Sequence, residues 1–230
     1  MKTLLVTGTD TDVGKTFVSC LMVTELRRSG IRVGVYKPAC SGAESSTGDL
    51  LWHDVAALGD AAGGQYSDDE ICPQRFTAPL APNVAARQEG RVVDDALLRE
   101  GARRWKDRCD LLLVEGAGGL LCPLSDRSTV RDLAVDLEAS LFVVAANRLG
   151  VVNHTLLTLE VAAAAGLPVR AVVLNETKEC EAGDQSPPLN AALLKQFAPE
   201  VPMLHCGSGA SLLADAHGSP VDLSALLPTI

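Results

Sequence analysis

Short apolar runs alternate along this chain with stretches of helical period. The first run, KTLLVT (2–7), leads into a polar turn and then a helix that begins near Gly14. That helix carries Val18, Leu21, Met22 and Leu26 on one face and stops at Gly30. IRVGVY (31–36) reads as the second strand and ends at Lys37-Pro38, where the proline blocks extension. Residues 39–51 read as a Ser-, Gly- and Ala-rich loop, and 52–62 as a helix. The stretch 72–90 carries three prolines and reads as irregular, and a long loop in a compact domain is more often functional than idle.

Helix 94–107, strand DLLLVE (110–115) and the run GAGG (116–119) come next, then helix 129–137 and strand SLFVVAA (140–146). Asn153 is expected to cap a helix through Ala165, closed by Gly166 and Pro168. Strand VRAVVL (169–174) ends at Asn175, and 178–188 reads as a polar, proline-rich connector. A helix near 189–198, a strand near 201–205 and a helix at 222–227 complete the pattern. Strands alternating with helices predict an α/β fold, a mostly parallel central sheet flanked by helices. No internal repeat is visible, and 230 residues suit a single domain over 1–230.

Composition narrows the function. Apolar residues make up 47% and aromatics only 3%, so the core is Leu, Val and Ala, which argues against a stacking platform for single-stranded nucleic acid. The net charge of −9 is the wrong sign for a general nucleic-acid binder. Arg99, Arg103, Arg104, Lys106 and Arg108 cluster at the end of a predicted helix, where cations suit the dipole, and read as a solvated face. The N-terminus is a strand rather than a signal peptide, and no uncharged apolar stretch reaches the ~18 residues of a membrane span. Seven cysteines without a C-x-x-C pair, and four histidines without zinc spacing, read as free, mostly buried thiols in the cytoplasm.

The chemistry concentrates in GTDTDVGKT (8–16), between the first strand and its helix. Such a turn wraps a polyphosphate with backbone N–H groups. Lys15 would reach the terminal phosphates and Thr16 would take a place on Mg²⁺. The first glycine, Gly8, stands one residue further out than in the usual phosphate loop, so this is a longer variant of the P-loop, and the fold expected is of the P-loop NTPase type. In open parallel sheets ligands bind beyond the carboxyl ends of the strands. Lys37 and Ser41 follow the second strand, Glu115 ends an apolar strand and Asn175 another. An acid at the place of Glu115 helps hold Mg²⁺ in P-loop enzymes, although a plain strand-end acid before a tight turn would look the same. Lys37 can add positive charge where a phosphoryl group moves, or be an ordinary solvated cap. Asp54 opens a predicted helix, where the dipole alone favours an acid.

Taken together, GTDTDVGKT, YKPACSG (36–42), Asp54, FTAPLAP (76–82), VEGAGGLLCPL (114–124) and LGVVNHTLLTLE (149–160) resemble the dethiobiotin synthetase family, in order and at its spacing. The resemblance runs from Met1 to about Asn175, and the longer P-loop is typical of that family. It implies a ligase that joins CO₂ to 7,8-diaminopelargonic acid with ATP and closes a ureido ring, through a carbamate and a carbamic–phosphoric anhydride. By the same resemblance, Lys15 and Lys37 would be catalytic, neutralising the γ-phosphate and the carbamate. Thr16, Asp54 and Glu115 would hold Mg²⁺. ATP would also meet Asp12, Val13, Gly14, Phe17, Gly116, Ala117 and Gly118, with Asn175 and Glu176 at the adenine. Thr11, Ser41 and Gly118 would bind the diamine. A homodimer is implied, with Leu149, Gly150 and Asn153 contributing to the substrate site from the second subunit.

Three departures stand out. Asp12 replaces a frequent glutamate, Asn83 a frequent histidine, and 176–210 diverges, which leaves Pro202 and Met203 as further adenine candidates. Rival classes fit less well. Partitioning and division-site ATPases carry a lysine five residues before the P-loop lysine, where this chain has Asp10. Amide ligases of cobyrinate type need a glutamine-hydrolysing domain for which 230 residues leave no room. A non-catalytic nucleotide-binding module would have no reason to keep Lys15, Thr16, Lys37, Asp54 and Glu115 together.

Overall fold

Because its side chains alternate between the two faces of the sheet and both faces are buried, β1 (Lys2–Gly8) feeds two cores at once. In the computed structural model, which describes residues 1–46, 49–177 and 183–227, Leu4 and Val6 face one core and Leu5 the other. The remaining large strands are β2 (Val33–Tyr36), β5 (Leu111–Gly119), β6 (Ser140–Ala146), β7 (Val169–Asn175) and β8 (Met203–Cys206). They form one six-stranded sheet in the order β2-β5-β1-β6-β7-β8, with every pair parallel. Both faces are covered, which is why these strands read as continuous apolar runs.

On one face α1 (Lys15–Arg28) buries Val18, Met22 and Leu26, each worth ~1.5–3 kcal/mol of apolar transfer. Val55 and Leu58 of α2 (His53–Ala61) and Ile71 of α3 (Asp68–Ile71) join that core. The opposite face is covered by α4 (Pro82–Gln88), α5 (Asp95–Arg103) and α6 (Val130–Asp136). Further along, α7 (Val151–Ala164) and α8 (Pro187–Phe197) pack on β6, β7 and β8 through Val151 and Leu194. Caps fix several ends: Asp94 accepts from the N–H groups of Ala96 and Leu97, and Thr129 forms a capping box with Asp132.

The expected α/β class and parallel sheet are present, with local differences. The 39–51 segment is not all loop: β3 (Glu44–Ser46) and β4 (Asp49–Leu51) pair antiparallel, and strands this short leave no period to read. The 72–90 segment contains α4, which starts on Pro82, a residue suited to the first helical turn. β5 does not stop at Glu115. It continues through the glycines to Gly119, which pairs with Gly8 across a register shift. Asn153 does not cap α7: Gly150, at φ 91°, precedes the helix, and Asn153 lies exposed in its first turn. The last element is a 3₁₀ turn, Leu223–Leu226, and of the expected connector, residues 178–182 lie outside the described residues.

The basic cluster is largely neutralised where it stands. Arg99 pairs with Asp95 and Asp136, Arg103 with Glu100, and Arg108 with Glu70 while lying over the rings of Tyr66 and Trp105. Six cysteines are among the described residues and all are free; Cys180 lies outside them. Among the described residues no helix is long and apolar enough to cross a membrane.

Candidate active site

The carboxyl ends of β1, β2 and β5 converge on one cavity of about 700 Å³. The turn after β1 supplies Thr11, Asp12, Gly14, Lys15, Thr16 and Phe17 to its lining. Lys37 and Ser41 come from the end of β2, Asp54 from the first turn of α2, and Gly116, Ala117 and Gly118 from β5. The turn wraps through backbone that is left-handed at Asp12 (φ 55°) and Gly14 (φ 86°). Gly14 is needed there on two counts, since a Cβ at that position would also lie 2.1 Å from the Asn175 amide nitrogen. Lys15 Nζ reaches back 3.1 Å to the Asp10 carbonyl, so the loop is closed on itself.

Beneath the loop lies a charged knot. Lys37 Nζ donates to Asp54 Oδ2 and to Glu115 Oε1, both at 2.6 Å. The Thr16 hydroxyl lies 2.8 Å from both Asp54 Oδ1 and Glu115 Oε1. Lys37 and Glu115 are buried at 3% and 0% exposure, so each charge depends on the knot for its compensation. Burial alone would pull the Lys37 ammonium down, but Glu115 and Asp54 override it and hold it above the ordinary lysine value. Burial would push the Asp54 carboxyl up. Lys37, Thr16 and Lys15 outweigh that, and it sits below its ordinary value. Lys15 moves the other way: burial lowers its pKa, Lys37 adds to the fall, and Glu115 and Asp54 oppose it.

The knot fits a divalent cation. Two carboxylates and a hydroxyl are the hard oxygen donors such an ion takes, and the Lys37 ammonium already marks a cation position between the carboxylates. Glu115 Oε2 is buried with no partner, which leaves an oxygen available for one.

Other expected residues lie elsewhere. Glu115 does not line the cavity: it is fully buried and bonded to Lys37 and Thr16, which do. Val13 turns its side chain into the core, with 2% exposure. Asn175 is buried behind the loop, where its Nδ2 donates to the Val13 carbonyl at 2.9 Å; Glu176 next to it is exposed. Leu149, Gly150 and Asn153 are exposed and line no part of the cavity. Asn83 donates to Asp126 Oδ1, and Met203 belongs to the buried core, with Pro202 half-buried beside it.

Sequence reasoning marked the 72–90 segment as functional but named no individual residue of the far wall, which is lined by Cys40, Gly42, the run Pro79–Pro82 and Cys122. Ser41 Oγ donates to the Leu80 carbonyl at 2.5 Å and ties that wall to the end of β2. The available signal was the proline-punctuated segment itself, too long to be idle.

Comparison with known proteins agrees with this geometry. A family model described as "AAA domain" matches residues 2–206. The chain is 44% identical over 203 residues to the ATP-dependent dethiobiotin synthetase BioD of Anaeromyxobacter sp. (strain Fw109-5), covering 88% of each chain. It is 40% identical to that of Rhodopirellula baltica over 86% of this chain and 81% of the relative. For that of Caulobacter sp. (strain K31) the identity is 39%, over 94% and 92%. Among solved structures, the septum site-determining protein MinD of Pyrococcus horikoshii, complexed with Mg-ADP, superposes with a TM-score of 0.51 at 16% identity, over 95% of this chain and 86% of that one. The cell division ATPase MinD of Pyrococcus furiosus gives 0.51 at 18%, over 89% and 83%. The MinD likenesses speak for the fold alone; the identity and coverage of the first three relatives speak for more, and the chain belongs to the ATP-dependent dethiobiotin synthetase family.

Proposed function

We propose that this chain is a C–N bond-forming ligase that uses ATP and Mg²⁺ to carboxylate 7,8-diaminopelargonic acid with CO₂ and close the ring of dethiobiotin, releasing ADP and phosphate. The observation that carries the reading is the pairing of two lysines with different surroundings in one cavity. Lys15 is held by the phosphate loop, and Lys37 stands outside it over Asp54 and Glu115. Family membership fixes the reaction class within which that geometry is read.

The first amine of the diamine adds to CO₂ and loses a proton, giving a carbamate. A carbamate oxygen attacks the γ-phosphorus, ADP leaves, and a carbamic–phosphoric anhydride remains. The second amine attacks the anhydride carbonyl and loses a proton, phosphate leaves, and the ureido ring is closed. Little of this requires covalent chemistry from the protein; it requires positioning and charge. Lys15 neutralises the terminal phosphates. Lys37 carries its positive charge to the gap between carbamate and γ-phosphate, where two anions must approach. Thr11, Ser41 and Gly118 orient the diamine against the far wall. Thr16, Asp54 and Glu115 would hold Mg²⁺, which when bound supplies further neutralisation of the phosphates. The family resemblance assigns Asn175 and Glu176 to the adenine, although neither lines the cavity and Asn175 is buried.

The same reading includes a homodimer, supported by exposed Leu149, Gly150 and Asn153 at the start of α7. Phosphate release with ATP and Mg²⁺, with and without diamine and bicarbonate, tests the function, with mass spectrometry for the product. Slow release alone, strong stimulation by both co-substrates together and a ring product are expected. Phosphate release indifferent to the diamine, with no ring product, would overturn the reading.

A further inference from the structure

The side chain of Asn175 is far from the phosphate loop in sequence and in contact with it in space. It sits at the end of β7 with 4% exposure. Its backbone is clamped on both sides: the Asn147 N–H donates to the Asn175 carbonyl at 2.8 Å, and the following N–H, that of Glu176, donates to the Cys206 carbonyl at 2.9 Å. From this fixed base the side-chain Nδ2 donates to the Val13 carbonyl at 2.9 Å. A carbonyl only accepts, so the nitrogen of the amide must be the atom that faces it.

The bond acts on the residue pair that shapes the loop. A trans peptide sets its N–H opposite its C=O, so holding the Val13 carbonyl on Asn175 fixes the direction of the Gly14 N–H. The Val13 side chain is sunk in the core on its own account. Val13 is therefore held by both its side chain and its carbonyl while Gly14 takes the left-handed turn that lines the cavity. The Asn175 amide also fills the space a side chain at position 14 would need. Other ties of the loop include the Lys15 and Asp10 contacts within it, the Thr9 N–H bond to Val144 at its entrance and the Thr16 hydroxyl contacts with Asp54 and Glu115 at its end.

We propose that Asn175 is a positioning residue that holds the phosphate loop in its binding shape, independently of any contact with a nucleotide base. This rests on the reading of residues 8–16 as a phosphate cradle. A residue that only reads a base matters to ATP and not to a ligand without a base. A strut matters to every ligand of the cradle.

The probe is inorganic tripolyphosphate, titrated calorimetrically against the full chain and its Asn175→Asp and Asn175→Ala variants, with ATP and GTP alongside. Both variants are expected to bind all three about tenfold more weakly, by similar factors, equivalent to about 1.4 kcal/mol. Circular dichroism should be unchanged, and hydrogen exchange should quicken at residues 13–16 but not in β6 and β7. Tripolyphosphate affinity within twofold of the parent, with ATP alone weakened, overturns the strut. Failure of the parent chain to bind tripolyphosphate overturns the cradle, and the strut with it. A measurement on the unaltered protein guards against variants that fail to fold: the Asn175 side-chain amide protons should exchange slowly with and without tripolyphosphate, and rapid exchange in the bound form would refute the strut.

Discussion

On either side of β1 the sheet follows different rules. The half with β2 and β5 turns charge inward: Lys37 and Glu115 are buried and joined at 2.6 Å. In the half with β6, β7 and β8 the strands bury apolar groups, while the flanking segment and helices expose Leu149 (80%), Leu189 (67%), Phe197 (65%) and Leu157 (58%), as Val92 (74%) is exposed in the other half. A buried charge must be met by one specific partner, so residue identity is fixed in the first half. Apolar packing asks only for the right size and register, so it constrains residue identity less in the second half.

The contrast breaks first at Lys37. Lys37→Met strands the buried Glu115 carboxylate and should cost about 3–5 kcal/mol in urea unfolding. The double variant Lys37→Met with Glu115→Leu should recover most of that loss. A single variant costing under ~1 kcal/mol would mean the knot is not buried in solution. Next come the proposed oxygen ligands of Mg²⁺. Asp54→Asn and Glu115→Gln should lose Mg²⁺-dependent activity while circular dichroism stays native, because a neutral amide is a poor replacement for a carboxylate on a divalent ion. Unchanged Mg²⁺ titrations in both would remove the metal assignment.

The knot also has a pH signature. The Asp54 carboxyl is lowered from 3.8, so the stability it contributes is present above that pH and is lost as pH falls through its lower folded value. The Lys37 ammonium is raised from 10.5, so its share is complete below that pH and leaves only in stronger alkali. Acid unfolding curves of the parent and Asp54→Asn should therefore converge below pH 3.8 and separate above it. Curves that stay parallel throughout would contradict the pairing.

The half with β6, β7 and β8 should respond more gently. Asn153→Ala should weaken diamine binding several-fold and leave ATP binding nearly intact, as read by calorimetry, and sedimentation should give a dimer. A monomer with normal turnover would end the cross-subunit proposal. Smallest of all, Leu189→Ser on the exposed face of α8 should change unfolding stability by no more than about 0.5 kcal/mol.

Legibility in the sequence follows the same division. The P-loop was readable because its function is local: nine consecutive residues make the turn. Lys37 and Glu115 were readable as polar groups closing apolar runs, although β5 runs on past Glu115 because glycines extend the strand without side chains to signal it. The contact between Lys37 and Glu115 was not readable, because it depends on β2 pairing with β5 rather than with its sequence neighbour β1. The β3–β4 hairpin and α4 were hidden by brevity and by prolines. Asn153 looked like a cap, but a left-handed Gly150 begins the helix, and a sequence gives residue type rather than φ. Asn175 could be placed at a strand end; its bond to Val13 spans 162 positions and has no local trace.

The central claim is that the two lysines divide the work, Lys15 holding ATP and Lys37 acting as the anions meet. Single-turnover kinetics with equilibrium ATP binding on Lys37→Gln and Lys15→Gln tests it most directly. Interactions that strengthen in the transition state raise turnover more than binding. Lys37→Gln should therefore slow turnover by about 10²–10³ and move the ATP Kd only a few-fold, while Lys15→Gln damages both. If Lys37→Gln loses ATP affinity as badly as Lys15→Gln yet turns over normally at saturation, Lys37 is a nucleotide clamp and the division fails.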